Sequence, residues 1–360
     1  MDRRVKILFL VPKFSGGGAE FVARQWMEYL SAQGEEVIVA TTNLKKDDPR
    51  PDDIRVESVA GSAVTSVRRL RALIARERPD VVMALMPYWN LLAVTATRGL
   101  RPRPRVIISG RNMATHLRGS FGLSYRIKQT LARWTYRWAD EFVAISHPVA
   151  GEAIALYRLA PEKVSVVLNP SLKADTDQIA RVVDDEKPLA LVAPARLVHQ
   201  KRPHLLIETA AACRDRHGME VEAHFFGVGP LSDQIAELAA ERGVTAHLHG
   251  WTANWSESLP PNAIVVLPSL SEGFGNVLVE AARVGVPSVV TSRALGVADA
   301  IVPGVTGVLV AGDSPAEFAD GVLEAASIAP TSYQGWLDTF TKERSGEALR
   351  RRIHSLVNAG

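Results

Sequence analysis

The sequence predicts an α/β protein with two doubly wound domains, each a parallel sheet with helices on both faces. Short β-branched runs alternate with longer stretches of helical periodicity, which is typical of βαβ units. The alternation stops at a polar, acidic segment between Pro170 and Pro188 and then restarts, which indicates a domain boundary. The chain has 360 residues, 47% apolar and 22% charged, and this composition argues against disorder, collagen or coiled coil.

The first half contains the elements of one predicted domain. The continuous apolar run from Val5 to Val11 predicts a strand buried on both faces, and Phe21, Trp26 and Leu30 follow it at helical spacing. Further strands are predicted at 36–42, 80–86, 106–109 and 141–146, and further helices at 64–78 and 124–138.

The helix predicted over residues 124–138 has two stripes of side chains. Its apolar stripe consists of Ile127, Leu131, Trp134 and Trp138, and its basic stripe of Arg126, Arg133 and Arg137. We interpret it as a helix packed on the sheet, with its basic face in solvent. The alternative is a helix that lies on a membrane surface.

The second half repeats the alternation. Strands are predicted at 189–194, 222–226, 246–249, 263–267, 287–291 and 308–310, and helices at 203–216, at 231–242 and from about Asn276. The residues after 331 predict a helical tail. We therefore place the two domains at residues 1–170 and 188–330, with a linker at 171–187 and the tail at 331–360.

Cysteine count and hydropathy limit the class of protein. The single cysteine, Cys213, excludes a disulfide framework and a cysteine-based metal site, and it favours a reducing cytoplasm. No apolar stretch approaches the length of a membrane-spanning helix, and the run after the basic start is too short for a secretory signal. No His, Asp or Glu cluster has metal-ligand spacing along the chain, so we expect no metal site.

Charge is distributed unevenly between the halves. Residues 1–170 contain 26 Lys and Arg against 16 Asp and Glu, a net of +10, whereas the remainder has a net of −7. This asymmetry suggests that the first half faces an anion, such as a phosphate, a phospholipid or a nucleic acid. The alternative is that the two halves differ in net charge without any functional reason.

Two loops at predicted strand ends suit an anionic ligand. Gly16, Gly17 and Gly18 lie between the first strand and a helix, where glycines let a ligand approach the backbone and the helix N-terminus favours an anion. The loop is not a dinucleotide fingerprint, and a plain tight turn is the alternative. In the loop after the strand at 189–194, Arg196 and Lys201 can converge on a pyrophosphate, and the alternative is a loop whose cations are simply solvated.

A third loop, residues 271–282, contains the strongest motif. Its two glycines and Asn276 predict a loop that turns into a helix, whose free N–H groups suit a phosphate. Glu272 precedes that helix and Glu280 lies just over one turn into it, so the two carboxylates can grip different parts of one ligand. Carboxylates accept hydrogen bonds from sugar and ribose hydroxyls.

Together these motifs resemble a family of retaining, nucleotide-sugar-dependent glycosyltransferases with the two-domain GT-B fold, the "glycosyltransferase group 1 / family 4" group. The resemblance covers nearly the whole chain. It rests on Gly17-Gly18-Ala19-Glu20, Val143-Ala144-Ile145-Ser146, Val166-Val167-Leu168-Asn169-Pro170, Arg196 with Lys201, Glu272 and Glu280 separated by seven residues and followed by Gly285-Val286-Pro287, and Gly304-Val305-Thr306-Gly307-Val308-Leu309-Val310. It implies two Rossmann-like domains facing each other across a cleft, an acceptor-binding first domain, a donor-binding second domain, and a C-terminal helix that crosses back to the first.

The resemblance also implies roles for individual residues. As catalytic residues, Arg196 and Lys201 would hold the diphosphate and Glu272 would contact the transferred sugar. The donor-binding set would comprise Gly17, Gly18, Trp251, Phe274, Gly275, Asn276, Val277 and Glu280. Within that set Glu280 would bind the ribose hydroxyls and Trp251 would lie near the base. No cofactor or metal is implied beyond the nucleotide-sugar substrate.

Two positions depart from the family pattern. Asp299 stands where the family usually has a glutamate, which puts its contact to the donor in doubt. Many members have an active-site histidine in the loop after the strand at 106–109. In this chain His116 is the nearest candidate and lies late, so Arg111 and Asn112 are alternative contacts for the sugar or the acceptor.

The sequence thus predicts a retaining, metal-independent hexosyltransferase that uses a nucleotide diphosphate sugar, with UDP as the expected nucleotide. The expected acceptor is a lipid-linked glycan or polysaccharide precursor, reached from the cytoplasm by peripheral attachment to an anionic membrane. A soluble small-molecule acceptor is the runner-up. A non-catalytic nucleotide- or nucleic-acid-binding protein is the alternative from another class, although no nucleic-acid-binding motif is present and no nucleic-acid partner is expected.

Overall fold

Two parallel sheets organise the chain. The computed structural model describes residues 3–14, 17–44, 48, 53–113, 123–172, 177–184 and 186–359, with the side chains of residues 123–126 left out. The chain divides into two units, one of Met1–Lys173 with Thr339–Gly360 and the other of Ala174–Asp338.

The first unit contains a seven-stranded parallel sheet with the strand order β3-β2-β1-β4-β5-β6-β7. Its elements are β1 (Lys6–Val11), α1 (Gly18–Ala32), β2 (Glu36–Thr41), β3 (Arg55–Ser58), α2 (Ala63–Glu77), β4 (Val81–Leu85), α3 (Pro87–Thr97), β5 (Arg105–Gly110), α4 (Leu123–Thr135), β6 (Glu141–Ala144), α5 (His147–Tyr157) and β7 (Val164–Val166). Helices cover the sheet, so its central strands are buried apolar runs, as the sequence predicts. The predicted α/β class is confirmed for this unit.

Four elements of this unit escape the sequence patterns: β3, β7, α3 and α5. β7 is a strand of only three partly exposed residues at the other edge of the sheet. β3 is a short, partly exposed strand at the sheet edge and lacks an apolar run. α3 and α5 both begin with a proline in the first turn and are apolar around most of their surface. Because a helix of that kind shows no amphipathic period, periodicity cannot identify it.

Helix α4 packs differently from the interpretation preferred in the sequence. Ile127, Leu131 and Trp134 are 51%, 48% and 60% exposed, so three of the four residues of the predicted apolar stripe face solvent. The fourth, Trp138, lies in the 3-10 turn after the helix and is half-buried. The buried positions are instead Gln129 and Ala132. The Gln129 carbonyl accepts a hydrogen bond of 2.9 Å from the Tyr157 hydroxyl, which makes burial of this amide tolerable. The interpretation of a sheet-packed stripe is therefore wrong.

The second unit contains a six-stranded parallel sheet with the order β10-β9-β8-β11-β12-β13. Its elements are β8 (Leu189–Ala193), α6 (His204–His217), β9 (Val221–Phe225), α7 (Ser232–Arg242), β10 (Ala246–Leu248), β11 (Ala263–Leu267), α8 (Asn276–Arg283), β12 (Ser288–Thr291), β13 (Gly307–Val310), α9 (Pro315–Ala326) and α10 (Gln334–Leu337). All six predicted strands are present. Helix α9 was not predicted, although Ser314, Pro315 and Glu317 form a capping box with proline in the first turn.

The last helix, α11 (Lys342–Asn358), belongs to the first unit, in agreement with a C-terminal helix that returns to the first domain. Leu349 and Ile353 lie in the same core as Trp26 of α1. The Trp26 indole N–H donates a 2.8 Å hydrogen bond to the Ser345 hydroxyl. Among all described helices, including this one, we find none with both the length and the apolar character needed to cross a bilayer.

Candidate functional site

Two loops of the second unit meet where β8 and β11 end. Arg196 follows β8 and is exposed, and Lys201 closes a single 3-10 turn, His199–Lys201. The loop after β11 is hydrogen-bonded to this turn: the Leu270 N–H donates to the Gln200 carbonyl at 2.9 Å, and the Gln200 amide donates to the Ser271 carbonyl at 2.9 Å. Adjacent parallel strands end at the same edge of a sheet, so loops far apart in sequence become neighbours here.

This arrangement joins two of the predicted catalytic residues. Lys201 Nζ lies 2.5 Å from Glu272 Oε1, and the two side chains are only 19% and 9% exposed. The next cation, Arg202, does not pair with Glu272. Its guanidinium donates to the Pro268 carbonyl at 2.5 Å and to the Asp313 carboxylate at 2.7 Å. Arg202 therefore fixes the loop, while Lys201 and Glu272 form the charged pair of the site.

Helix α8 begins at Asn276, as the sequence predicts. Gly275 precedes it with φ +92, a left-handed conformation that favours glycine. Phe274 is buried and anchors the loop by its side chain, so only its backbone is available to a ligand. The first N–H groups of a helix have no partner within the helix, so the start of α8, including Val277, can donate to an anion.

The Glu280 carboxylate has a partner that sequence reasoning missed. The indole N–H of Trp255 donates to Glu280 Oε2 at 2.5 Å, and Trp255 itself is buried. Trp251, the tryptophan predicted near the base, is 73% exposed. Nothing in the local sequence identifies Trp255, because it lies in an isolated 3-10 turn before β11 and meets α8 only through the fold.

Glycines pack closely against the backbone of these loops. A Cβ on Gly296 would lie 2.0 Å from the carbonyl oxygen of Glu272, and a Cβ on Gly227 would lie 2.0 Å from that of Ala195. Gly296 belongs to the 3-10 run that ends at Asp299, the position that departs from the family pattern. The turn that ends at Asp299 therefore lies directly against the loop of Glu272.

We expect Gly296→Ala to lower both turnover and stability. Its methyl group would collide with the Glu272 backbone, and such overpacking costs about 1–3 kcal/mol of unfolding free energy. Denaturant unfolding and turnover of donor would measure the two effects. Gly335→Ala is the matched control, since a Cβ there meets nothing within 4 Å. Equal behaviour of the two variants would show that the Glu272 loop tolerates displacement.

The first unit holds the remaining predicted residues. Gly17 precedes α1 and Gly18 begins it, and the Gly17 N–H donates to Glu20 Oε2 at 3.1 Å. Gly16 lies outside the described residues, as does His116. Asn112 is exposed.

Arg111, directly after β5, has an unusual environment. One terminal N–H₂ group donates to the Asn169 side-chain oxygen at 3.1 Å, and the guanidinium lies 5.4 Å from the centre of the Trp26 ring. Its Nε and the other terminal nitrogen are buried and have no hydrogen-bond partner among the described residues. Burial lowers the pKa of Arg111 to about 9, with the Glu20 carboxylate acting in the opposite direction, so the side chain remains charged at neutral pH.

Comparison with known proteins agrees with this geometry. Residues 188–327 match the family described as "Glycosyl transferases group 1", and residues 16–170 match "Glycosyltransferase Family 4". The chain is 32% identical over 204 residues to D-inositol 3-phosphate glycosyltransferase 1 of Catenulispora acidiphila, covering 51% of this chain and 48% of that protein. The chain thus spans about half the length of the curated relatives it matches.

Two solved structures show the same fold over nearly the whole chain. The apo form of the lipopolysaccharide outer core galactosyltransferase WaaB has a TM-score of 0.79 at 19% identity, covering 97% of this chain and 99% of that one. Anabaena HepE, solved in complex with UDP-glucose, has a TM-score of 0.69 at 17% identity, covering 99% and 98%. With both halves matched by glycosyltransferase families and the whole chain by the GT-B fold, the protein belongs to the group 1 / family 4 glycosyltransferases.

Proposed function

We propose that the protein is a retaining hexosyltransferase that moves a sugar from a UDP-sugar to a glycan acceptor. The observation that supports this most is the Lys201–Glu272 pair beside the start of α8, with Glu280 in the second turn of that helix. This places a cation, the N-terminal N–H groups of a helix and two carboxylates along one loop and helix. A nucleoside diphosphate sugar requires such partners for its phosphates and its hydroxyl groups.

Each group then has a chemical role. Arg196 and Lys201 neutralise the diphosphate as it leaves, so no metal ion is required for that step. The N–H groups at Asn276 and Val277 donate to the phosphate or the sugar. Glu280 accepts from the ribose hydroxyls, and Glu272 contacts the transferred sugar. Following the family, attack occurs on the front face of the sugar without a protein nucleophile, and HepE, which has the same fold, was solved with UDP-glucose.

A donor screen tests this proposal. Nucleotide release would be followed for UDP-glucose, UDP-galactose, UDP-N-acetylglucosamine, ADP-glucose and GDP-mannose, with and without a chelator. We expect release from a UDP-sugar that survives chelation, and a product with the anomeric configuration of the donor by NMR. Release from a different nucleotide sugar, or an inverted product, would contradict the donor or the stereochemistry respectively.

For the acceptor, we propose a lipid-linked glycan at an anionic membrane surface. The support comes from α4 and the 3-10 turn after it. Ile127, Leu131 and Trp134 are exposed there, beside the exposed cations Arg133 and Arg137. Apolar side chains flanked by cations suit the boundary between acyl chains and anionic headgroups. Of the other arginines near this helix, Arg103 and Arg105 are within 3.0 Å and 3.6 Å of Asp140, which leaves them less available.

We expect the wild-type protein to sediment with phosphatidylglycerol vesicles at low salt and to be released at high salt. Each cation near an anionic leaflet contributes about 1 kcal/mol, and the attraction decays within a Debye length. Trp134→Glu should abolish sedimentation, and Arg133→Glu should weaken it. Val64→Glu is the matched control, because Val64 is an equally exposed apolar residue on α2. Sedimentation that is absent at low salt, or that does not change with salt, would favour a soluble acceptor. Sedimentation that survives Trp134→Glu would show that α4 is not the membrane contact.

A soluble acceptor that carries a phosphate is the second candidate. The curated relatives are named for D-inositol 3-phosphate, and Arg111 has buried N–H groups that an anion would satisfy. Under this alternative, Arg111→Gln should raise the acceptor KM and leave donor affinity unchanged.

A further inference from the structure

A cluster of histidines and a glutamate occupies the edge of the second sheet. Glu222 and His224 lie two residues apart on β9, and His247 lies on β10 directly opposite His224 in the parallel register. All three therefore project from the same face of the two strands. His247 Nε2 is 2.9 Å from Glu222 Oε2, and His224 Nε2 is 3.6 Å from the same oxygen.

The ligand atoms have the spacing of a metal site. Glu222, His224 and His247 each offer one ligand atom, and the three atoms lie within 4.8 Å of one another. In a tetrahedral zinc site with bonds of about 2.1 Å, ligand atoms lie about 3.4 Å apart, so the two distances to the Glu222 oxygen bracket that value. Two imidazoles and one carboxylate form a donor set that zinc prefers.

A third histidine, His249, orients the buried member of the cluster. His249 Nε2 is 3.0 Å from His224 Nδ1, so that ring nitrogen is engaged and Nε2 is directed to the Glu222 side. An outer hydrogen bond of this kind sets the tautomer and orientation of a metal-ligating histidine. His224 is buried, whereas His247 and Glu222 are 41% and 34% exposed, which leaves the cluster open to an ion from solvent.

We infer that Glu222, His224 and His247 form a binding site for a divalent transition metal of the zinc type. The rings of His224 and His247 are stacked at 4.4 Å and inclined by 20°, so their in-plane lone pairs run nearly parallel. Binding therefore requires the exposed His247 ring to turn toward the ion, with solvent filling the fourth position. The ion joins β9 to the three-residue edge strand β10 and stabilises that edge.

Zinc titration of the untagged full-length protein tests this site. We expect one saturable Zn²⁺ site per chain by calorimetry, the visible absorption of tetrahedral Co²⁺ after cobalt loading, and a melting temperature higher by roughly 5 °C at a hundredfold excess over Kd. Glu222→Gln and His247→Gln should each weaken binding at least tenfold. Both side chains are partly exposed, so these variants keep the fold, and neither should change donor turnover.

His217→Gln is the matched control. His217 Nε2 is 2.8 Å from Asp320 Oδ1, so it is a histidine–carboxylate pair of the same unit that does not belong to the cluster. Zinc binding that is absent, that survives in His247→Gln or Glu222→Gln, or that is lost in His217→Gln would overturn the inference.

Discussion

Lys201→Ala is expected to reduce turnover at saturating donor by about 10²–10³-fold. A preorganised cation that stabilises a developing charge contributes an effect of this size, and Lys201 is held in place by Glu272 at 2.5 Å. The same change leaves the largely buried Glu272 carboxylate without its counter-ion, so we also expect a loss of about 3 kcal/mol in the free energy of unfolding. Steady-state kinetics and denaturant unfolding measure the two effects separately.

Two further variants distinguish catalysis from support of the loop. Lys187→Ala, which removes an exposed lysine of the same unit, should leave both quantities unchanged. Adding Glu272→Gln to Lys201→Ala should restore the unfolding free energy, because the uncompensated charge is gone, but not turnover. Normal turnover of Lys201→Ala at saturating donor would mean that the diphosphate is held elsewhere.

Much of the fold follows from local patterns, and the exceptions have physical reasons. Apolar runs identify the central strands because a parallel sheet covered on both faces buries both faces of each strand. The start of α8 at Asn276 follows from glycines that suit a turn with positive φ. Helix α4 shows what periodicity cannot predict. The helix has the predicted amphipathic period, but the period does not determine which of its faces is buried.

The site was predictable only as separate motifs. Lys201 and Glu272 were identified independently, and they meet because β8 and β11 are adjacent in the sheet. Trp255 and Gly296 were missed, since their importance depends on approaches between segments distant in sequence. Spacing along the chain likewise gave no sign of the cluster around His224, because its members come from two strands that are brought together only by the sheet.

Glu280→Ala is expected to weaken binding of UDP by about 10- to 150-fold. Losing a carboxylate that accepts from two ribose hydroxyls corresponds to roughly 1.5–3 kcal/mol, and calorimetric titration of UDP measures it directly. Unchanged affinity would defeat the assignment of Glu280 to the ribose.

Trp255→Phe is expected to weaken UDP binding about tenfold through Glu280. The phenyl ring fills most of the indole volume, but it cannot donate to Glu280 Oε2, so the carboxylate loses the 2.5 Å hydrogen bond that orients it. Because Trp255 acts on the nucleotide only through Glu280, the double variant Trp255→Phe/Glu280→Ala should bind no more weakly than Glu280→Ala alone. Additive losses in this cycle would instead mean that Trp255 contacts the nucleotide itself or supports the unit in another way, and unfolding measurements on the single variant would separate those two outcomes.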